Sequence, residues 1–434
     1  MGFQVKNKVV TNAAWIIVCR VLQAVLNLVI SMMTARYFGP SNYGLINYAA
    51  SVVAFFVPVM QLGLRSTLVQ EYIQNKEKEG TVLGTSTVMM VISALLCMLG
   101  VTSFAMLANN NEKETIIVCV LYSVVLLFQA FEMIQYWFQA RLLSKYTSVV
   151  SLCAYVLISL YKIYLLVSHK SVYWFAVSNA LDYLLISIGL FVIYKKIGTS
   201  RISFSLKLAK DMLHKSKYYI ISSLMVTAFG HIGSILLEFI NGKEAVGFYT
   251  AAITCAGMTS FAFNALVDSA RPMILSYKKT DNEKFKKSVE GLYSVIFYTS
   301  LIQSVVICFF SPIIVNILYG NEYGGAIQPL RIIAWYTIFS YLGPVRNVWI
   351  LAEGKQKYLW IINLSGAIFN ICVNLLLIPF LDVSGAAVAA LLTQFFTNVV
   401  ASALIKPLRE NNVLMLRGLN PCKMVENVKC LIGK

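Results

Sequence analysis

The fold class follows from residues 173–217, YWFAVSNALDYLLISIGLFVIYKKIGTSRISFSLKLAKDMLHKSK. The first part, 173–194, is apolar apart from Asp182 and a few uncharged polar residues, whereas 195–217 carries seven lysines and arginines. A helix needs about 20 apolar residues to cross about 30 Å of hydrocarbon. An apolar span followed by a basic gap is typical of a membrane-crossing helix whose end lies at a charged surface.

The same pattern recurs along the whole chain and predicts an all-α integral membrane protein with twelve transmembrane helices. The predicted spans are 12–35, 44–62, 83–108, 115–138, 147–167, 173–194, 217–240, 246–270, 291–318, 329–350, 359–381 and 384–405.

Positive charge alternates between the gaps that separate these spans. Of the 36 Lys and Arg residues, 29 lie in alternate gaps, and only four lie in the others. The basic gaps are the N-terminus, 63–82, 139–146, 195–217, 271–290, 346–358 and the tail after 405. Short loops rich in Lys and Arg remain cytoplasmic, so we expect both termini on the cytoplasmic side of a cell membrane.

Composition excludes an ordinary soluble domain. The chain is 58% hydrophobic and 13% charged, whereas soluble domains are about 25% charged. The formal net charge of +17 is explained by loops lying against anionic membrane lipids, so we expect no nucleic-acid partner.

An internal repeat divides the chain. Residues 39–49 resemble residues 242–252. Gly39, Gly44 and Ala49 align at a constant offset with Gly242, Gly247 and Ala252, and each segment joins the first two spans of its half. Chance similarity between Gly/Ala-rich loops is the alternative. The repeat predicts two six-helix pseudo-symmetric lobes around a central cavity, with substrate at their interface. The predicted parts are a lobe at 1–197, a basic linker at 198–216, a lobe at 217–405 and a basic tail at 406–434.

The gaps and motifs of the sequence lack the features expected of an enzyme. No gap is long enough to build a catalytic domain, and no phosphate-cradling Gly-rich loop is present. The nine cysteines and three histidines form no metal-ligand motif. We expect neither metal nor cofactor. A membrane polysaccharide polymerase or ligase would require a long external loop, which the chain lacks.

Several motifs carry a family resemblance. They are Asn12 with Trp15, Ala35-Arg36-Tyr37-Phe38-Gly39-Pro40 with Tyr43-Gly44, Leu318-Tyr319-Gly320 with Tyr323, and Asn370 with Asn374-Leu375-Leu376-Leu377-Ile378-Pro379 and Gly385-Ala386-Ala387. Together they resemble the polysaccharide (O-antigen and capsule type, Wzx-like) flippases of the multidrug/oligosaccharidyl-lipid/polysaccharide exporter superfamily.

The resemblance implies a transporter, active as a monomer, that flips polyprenyl-diphosphate-linked oligosaccharide units from the cytoplasmic to the outer leaflet by alternating access. Polysaccharide polymerase machinery would be a further partner. The alternative within the same fold is a drug or organic-cation antiporter driven by H⁺ or Na⁺. A purely structural membrane protein would leave the polar face of the first span unexplained.

That polar face is the leading candidate for substrate binding. Arg20, Gln23 and Asn27, followed by Ser31 and Thr34, lie on one side of an otherwise apolar helix. Such a face must contact protein or water rather than lipid. It is either a hydrogen-bonding seam between helices or the wall of a lumen, where the guanidinium of Arg20 could bind diphosphate through two parallel hydrogen bonds.

Three other cations are candidate substrate ligands. Lys162 could add a second point charge inside the membrane, or it could extend towards the outer interface. Arg65 and Arg271 stand at the cytoplasmic ends of the second span of each half, where they would anchor to lipid head groups or capture diphosphate. Asp268 precedes Arg271 by three residues and is predicted to pair with it.

Two carboxylates inside spans, Asp182 and Glu132, are candidates for binding a coupling cation or proton. They could equally neutralise Arg20 or Lys162, and both interpretations stay open. Asn363, Asn370 and Asn374 form a stripe on the eleventh span, for which interhelical hydrogen bonding is the favoured role.

Overall fold

The computed structural model describes residues 2–109, 112–198 and 200–421. Within these ranges the chain forms helices joined by short turns and contains no β-strand. Contacts along the chain divide it into two compact units, Met1–His231 and Ile232–Lys434. The predicted all-α fold is therefore confirmed.

The helices of the first unit are α1 (Gly2–Met60), α2 (Leu68–Gln74), α3 (Glu79–Ala108), α4 (Lys113–Glu132), α5 (Gln135–Ala140), α6 (Ser144–Val167) and α7 (Val172–Ile197). Helix α8 (Leu206–Asn241) contributes residues to both units. The second unit continues with α9 (Lys243–Gly257), α10 (Ser260–Thr280), α11 (Asn282–Leu318), α12 (Ile327–Ala352), α13 (Leu359–Phe395), α14 (Ala401–Leu404) and α15 (Arg409–Gly418).

Many of these helices are long and apolar enough to cross a membrane. The described residues contain seven such stretches, or up to nine if each of two bent helix pairs is one span. Two stretches, Val21–Met60 and Gln356–Leu404, contain 40 and 49 residues and are broken at Gly39 and Asp382. Because 20 residues already span about 30 Å, each of these can hold two predicted spans. The protein is a multi-pass membrane protein, and the number twelve stays a prediction.

The break at Gly39 has a counterpart at the aligned position of the repeat. Gly39 has φ 69° and ψ 176°, and Gly242 has φ 83° and ψ −177°. This combination lies in a region that essentially only glycine adopts. The same rare conformation at aligned positions favours a true repeat over chance similarity.

The gaps between the helices of the first unit lie at two ends, and the basic gaps share one of them, as the alternation of charge predicts. At one end, Glu79 pairs with Arg141 at 2.7 Å, and Lys215 pairs with Glu71 at 2.6 Å. These contacts join 63–82, 139–146 and 195–216, which we call the basic end of the first unit. At the other end, the rings of Tyr37 and His169 lie 5.8 Å apart.

The second unit has the same arrangement. Lys278 forms an ion pair with Glu353, and Lys286 with Glu410 at 3.0 Å, so 271–290, 346–358 and the helix α15 meet at one end. At the other end, the rings of Phe248 and Tyr323 lie 6.1 Å apart. Alternate gaps thus lie together within each unit.

The predicted linker 198–216 packs against the first unit. The amide of Ser203 donates to the Gly80 carbonyl at 3.3 Å, and the amide of Ser205 donates to Thr85 Oγ1 at 3.0 Å. A Cβ atom built on Gly80 or Gly84 would lie 2.1 or 2.3 Å from a linker carbonyl oxygen. Only glycine at both positions lets the linker backbone approach α3 this closely.

The prediction that Arg346 lies in a basic gap is wrong. Arg346 lies inside α12 and is buried, and its Nη1 donates to the Thr397 carbonyl at 3.0 Å. Thr397 belongs to a π-helical segment, Phe396–Val400, and Asn412 donates to the Val399 carbonyl in the same segment at 2.7 Å. A π-helical turn interrupts the regular hydrogen-bond ladder, so its carbonyls accept from side chains instead.

Candidate substrate and coupling site

Part of the polar face of α1 lines a cavity, and another part forms hydrogen bonds within the first unit. Gln23 lines a cavity of about 200 Å³ near the basic end of the first unit. Apart from Cys19, the other lining residues carry amide or hydroxyl groups, among them Gln135, Gln139, Ser144, Thr147 and Ser148. Arg20 belongs to α1, and its side chain lies outside the described part of the structure. Its predicted role therefore stays a prediction.

Further along α1 the polar residues bond within the unit. The exposed Asn27 accepts a hydrogen bond through Oδ1 from the Tyr155 hydroxyl at 3.0 Å. The hydroxyls of Ser31 and Tyr43 lie 2.7 Å apart, and Thr34 donates to the Ile30 carbonyl. The interhelical seam predicted as one alternative thus describes Ser31, whose partner Tyr43 lies beyond the break at Gly39, whereas Thr34 bonds within its own helical segment and Gln23 faces an open cavity.

Lys162 points towards the neighbouring helix α7. Its Nζ donates to Oδ1 of Asn179 at 2.7 Å, and it interacts electrostatically with Asp182. Lys162 is only partly exposed, and its ammonium group is bound to α7. This geometry differs from a side chain that extends freely towards the outer interface.

Asp182 lies one turn further along α7 than Asn179. Its Oδ1 is buried and accepts no hydrogen bond from the described residues. Gln129, on α4, also has a buried side-chain oxygen without a partner. Buried acceptors of this kind are expensive unless a proton, cation or water occupies them.

Glu132 connects this region to the basic end. It interacts electrostatically with Asp182 and with Arg65. Arg65 is exposed and also interacts electrostatically with Tyr136. The structure thus brings four predicted site residues into one series, Arg65, Glu132, Asp182 and Lys162, which we call the charged column.

Arg271 belongs to the second unit and lies in α10. Its Nη2 lies 2.8 Å from Oδ1 of Asp268, one turn earlier in α10, and both side chains are substantially exposed. The pairing predicted from their spacing is confirmed. Exposed pairs of this kind contribute only about 0–1 kcal/mol to stability.

Two members of the asparagine stripe of the eleventh predicted span, Asn370 and Asn374, are buried in the second unit, and Asn363 is half-buried. Nδ2 of Asn370 donates to Thr393 Oγ1 at 3.0 Å, and Nδ2 of Asn374 donates to the Asn370 carbonyl at 2.8 Å. The bond from Asn370 to Thr393 crosses the break at Asp382, so it joins two helical segments, as predicted. Oδ1 of Asn374 has no partner among the described residues.

Sequence reasoning missed Tyr155 and Asn179, which hold Asn27 and Lys162. A signal was present for Asn179, because it precedes Asp182 by three residues and therefore shares its helix face. Tyr155 has no comparable signal, since its contact joins α6 to α1. Among the described residues, no three His, Cys, Asp or Glu side chains are grouped to hold a metal ion.

Comparison with known sequences identifies related membrane proteins. The profile of a family described as polysaccharide biosynthesis protein matches residues 9–278. CapF, a capsular polysaccharide biosynthesis protein of Staphylococcus aureus, is 23% identical over 89% of this chain and 96% of its own length. An uncharacterized membrane protein of Methanocaldococcus jannaschii is 25% identical over 64% of this chain, which spans 56% of the archaeal protein.

Solved structures of transporters share the fold of this chain although their sequence identity to it is low. The lipid II flippase MurJ in an inward closed conformation matches with a TM-score of 0.73 at 14% identity, covering 96% of both chains. An inward-facing multidrug resistance MATE family transporter of the MOP superfamily matches with a TM-score of 0.65 at 14% identity, covering 91% of this chain and 96% of that one. These matches confirm the transporter fold of two helical lobes.

Proposed function

Because the chain belongs to the polysaccharide biosynthesis protein family, we propose that it flips polyprenyl-diphosphate-linked oligosaccharide units from the cytoplasmic to the outer leaflet of the bacterial inner membrane by alternating access. Family and fold are those of transporters, and the protein is not an enzyme. MurJ, whose fold it shares, is named for flipping lipid II, and CapF is named for capsular polysaccharide biosynthesis.

The observation that carries the proposal is the charged column inside the first unit. Ionisable groups within membrane-spanning helices are costly and therefore mark pathways for ions or charged substrates. The cargo has an apolar tail that can stay in lipid and an anionic diphosphate that cannot be exposed to hydrocarbon. The cations of the charged column can bind the diphosphate and so keep it out of the hydrocarbon.

Roles within the site follow from position and charge. We assign Arg20, with Gln23 and Asn27, to the diphosphate and its first sugars, and Lys162 to a second contact with the anionic group. Arg65 and Arg271 capture the cargo at the cytoplasmic side. Asp182 and Glu132 bind the coupling proton or cation, and the partnerless Oδ1 of Asp182 supports that role.

A second candidate is antiport of a drug or organic cation against H⁺ or Na⁺. Asp182 and Glu132 favour it, because two neighbouring carboxylates form a site that attracts cations. Lys162 and Arg65 flank the same carboxylates and oppose it, because an organic cation would have to approach two fixed positive charges.

Deletion of the gene in its own host tests the proposal. A flippase defect leaves lipid-linked oligosaccharide accumulated on the cytoplasmic side of the membrane and removes the surface polysaccharide. Resistance to organic cations is measured in the same strains. Unchanged surface polysaccharide together with increased sensitivity to organic cations would establish the antiporter instead.

A further inference from the structure

An apolar groove of about 520 Å³ lies on the first unit, between α3, α4, α7 and the linker. Its lining includes Val88, Phe128, Phe131, Ile188, Phe191 and Ile202, and none of the lining residues is charged. Val88, Phe131 and Ile188 are themselves exposed, so the groove opens to the outside of the unit. We call it the α3–α4–α7 groove.

The groove lies near the basic end of the first unit. Val88 is within the first three turns of α3, Phe131 precedes the last residue of α4, and Ile188 is in the second half of α7. The linker forms one wall through Ile202, because Gly80 and Gly84 allow its backbone to pack directly on α3.

Positive charge stands beside this apolar surface. Nζ of Lys195 lies 5.2 Å from the centroid of the Phe191 ring, which lines the groove. Arg201 is exposed and directly precedes Ile202 in the linker. An apolar groove next to two cations is complementary to a lipid that has a hydrocarbon chain and an anionic head group.

We infer that the α3–α4–α7 groove binds the polyprenyl chain of the cargo, with the attached diphosphate beside Lys195 and Arg201. This inference rests on the proposed function and names the place where the cargo is held before it is flipped. A polyprenyl diphosphate has one chain for each anionic head group, whereas a phospholipid has two. The apolar groove matches the chain of that lipid, and Lys195 and Arg201 beside it match its anionic head group.

Binding at the groove also keeps the cargo near the charged column. Phe131 lines the groove and is followed in α4 by Glu132 of the charged column. Ser187 lines the groove and follows Asp182 in α7 by five residues, and its hydroxyl is already satisfied by the Tyr183 carbonyl at 2.7 Å. The apolar chain therefore meets a surface without unpaired serine hydroxyls.

Photolabelling of the whole protein in lipid nanodiscs tests the inference. The probe is a polyprenyl diphosphate that carries a photoactivatable group on its chain and no glycan. We expect the label on peptides that contain Leu83–Val88, Phe128–Ile134 and Leu184–Val192. Val88→Trp and Ile188→Trp fill the groove and reduce labelling of these peptides several-fold. Leu96→Trp, at an exposed position on α3 outside the groove, leaves labelling unchanged.

The head-group contact is tested with the double variant Lys195→Ala, Arg201→Ala, which reduces labelling, against Lys207→Ala, which does not. If the groove peptides are labelled to the same extent in both Trp variants as in the unchanged protein, the inference is overturned. Labelling that disappears when phosphatidylglycerol is raised at constant probe also overturns it, because the groove then holds ordinary anionic lipid. The probe needs no glycan and no flipping, so the groove can pass this test even if the gene deletion leaves surface polysaccharide intact.

Discussion

At the scale of single residues, the proposal depends most on Arg20. Arg20→Ala should abolish export while the protein still inserts and accumulates, because the proposal assigns its guanidinium to the diphosphate. Arg20→Lys should restore export only in part, since Lys keeps the charge but not the planar fork that binds phosphate bidentately. Lys113→Ala, at an exposed position outside the column, is the control. Normal export by Arg20→Ala at normal abundance would assign Arg20 to helix packing.

Asp182 carries the second residue-scale prediction. Asp182→Asn should weaken the dependence of transport on a proton or sodium gradient, because the amide is neutral at every pH. It should slow flipping less than Arg20→Ala does, since a coupling group modulates the cycle without binding the diphosphate. Initial rates in reconstituted vesicles measure both effects, with Asp211→Asn on α8 as the control. Complete loss of flipping that no gradient relieves would place Asp182 in substrate binding instead.

At the scale of elements, the packing of the linker on α3 is open to direct test. Gly84→Ala would place a Cβ 2.3 Å from the Ser203 carbonyl oxygen, and overpacking of this kind costs about 1–3 kcal/mol. We expect a lower melting temperature and faster tryptic cleavage at Arg201 as the linker detaches. Gly257→Ala, where a Cβ would meet nothing within 4 Å, should change neither. Equal cleavage rates in the two variants would mean that the linker does not depend on this contact.

The elements also show how far the sequence could predict the structure. The all-α membrane fold, the alternation of basic gaps and the repeat around Gly39 and Gly242 follow from local patterns of hydropathy, charge and backbone preference, and they were predictable. The burial of Arg346 was not, because it depends on a π-helical segment some 50 residues later in the chain. The electrostatic interaction of Arg65 with Glu132 likewise joins segments that are distant in sequence. Charge spacing alone left Arg346 at the surface and gave Arg65 no partner in α4.

At the scale of the whole molecule, topology is the first expectation to check. The alternation of basic gaps places Lys207 inside the cell and Asn321 outside. Lys207→Cys and Asn321→Cys, each in a background without native cysteines, are exposed in the structure and therefore reachable by a membrane-impermeant thiol reagent. Intact cells should label only the second variant, and opened cells should label both. Labelling of Lys207→Cys in intact cells would invert the assigned orientation.

The membrane potential should also act on the whole molecule. A diphosphate of about two charges that leaves a negative-inside compartment gains about 4–5 kcal/mol per 100 mV, from about 2.3 kcal/mol for each charge. The emptied site, with the positive charge of Arg20 and Lys162, is then drawn back towards the negative side. Membrane potential thus favours both halves of the cycle to the extent that bound cations leave the cargo partly unneutralised.

The most direct test of the central proposal is the rate at which a fluorescent polyprenyl-diphosphate-linked oligosaccharide changes leaflet in vesicles that contain the purified protein. We predict protein-dependent flipping that a potassium-diffusion potential accelerates without a pH or sodium gradient, and that Arg20→Ala abolishes. Vesicles in which the lipid-linked oligosaccharide stays in its leaflet, while an organic cation exchanges against protons or sodium, would contradict the account.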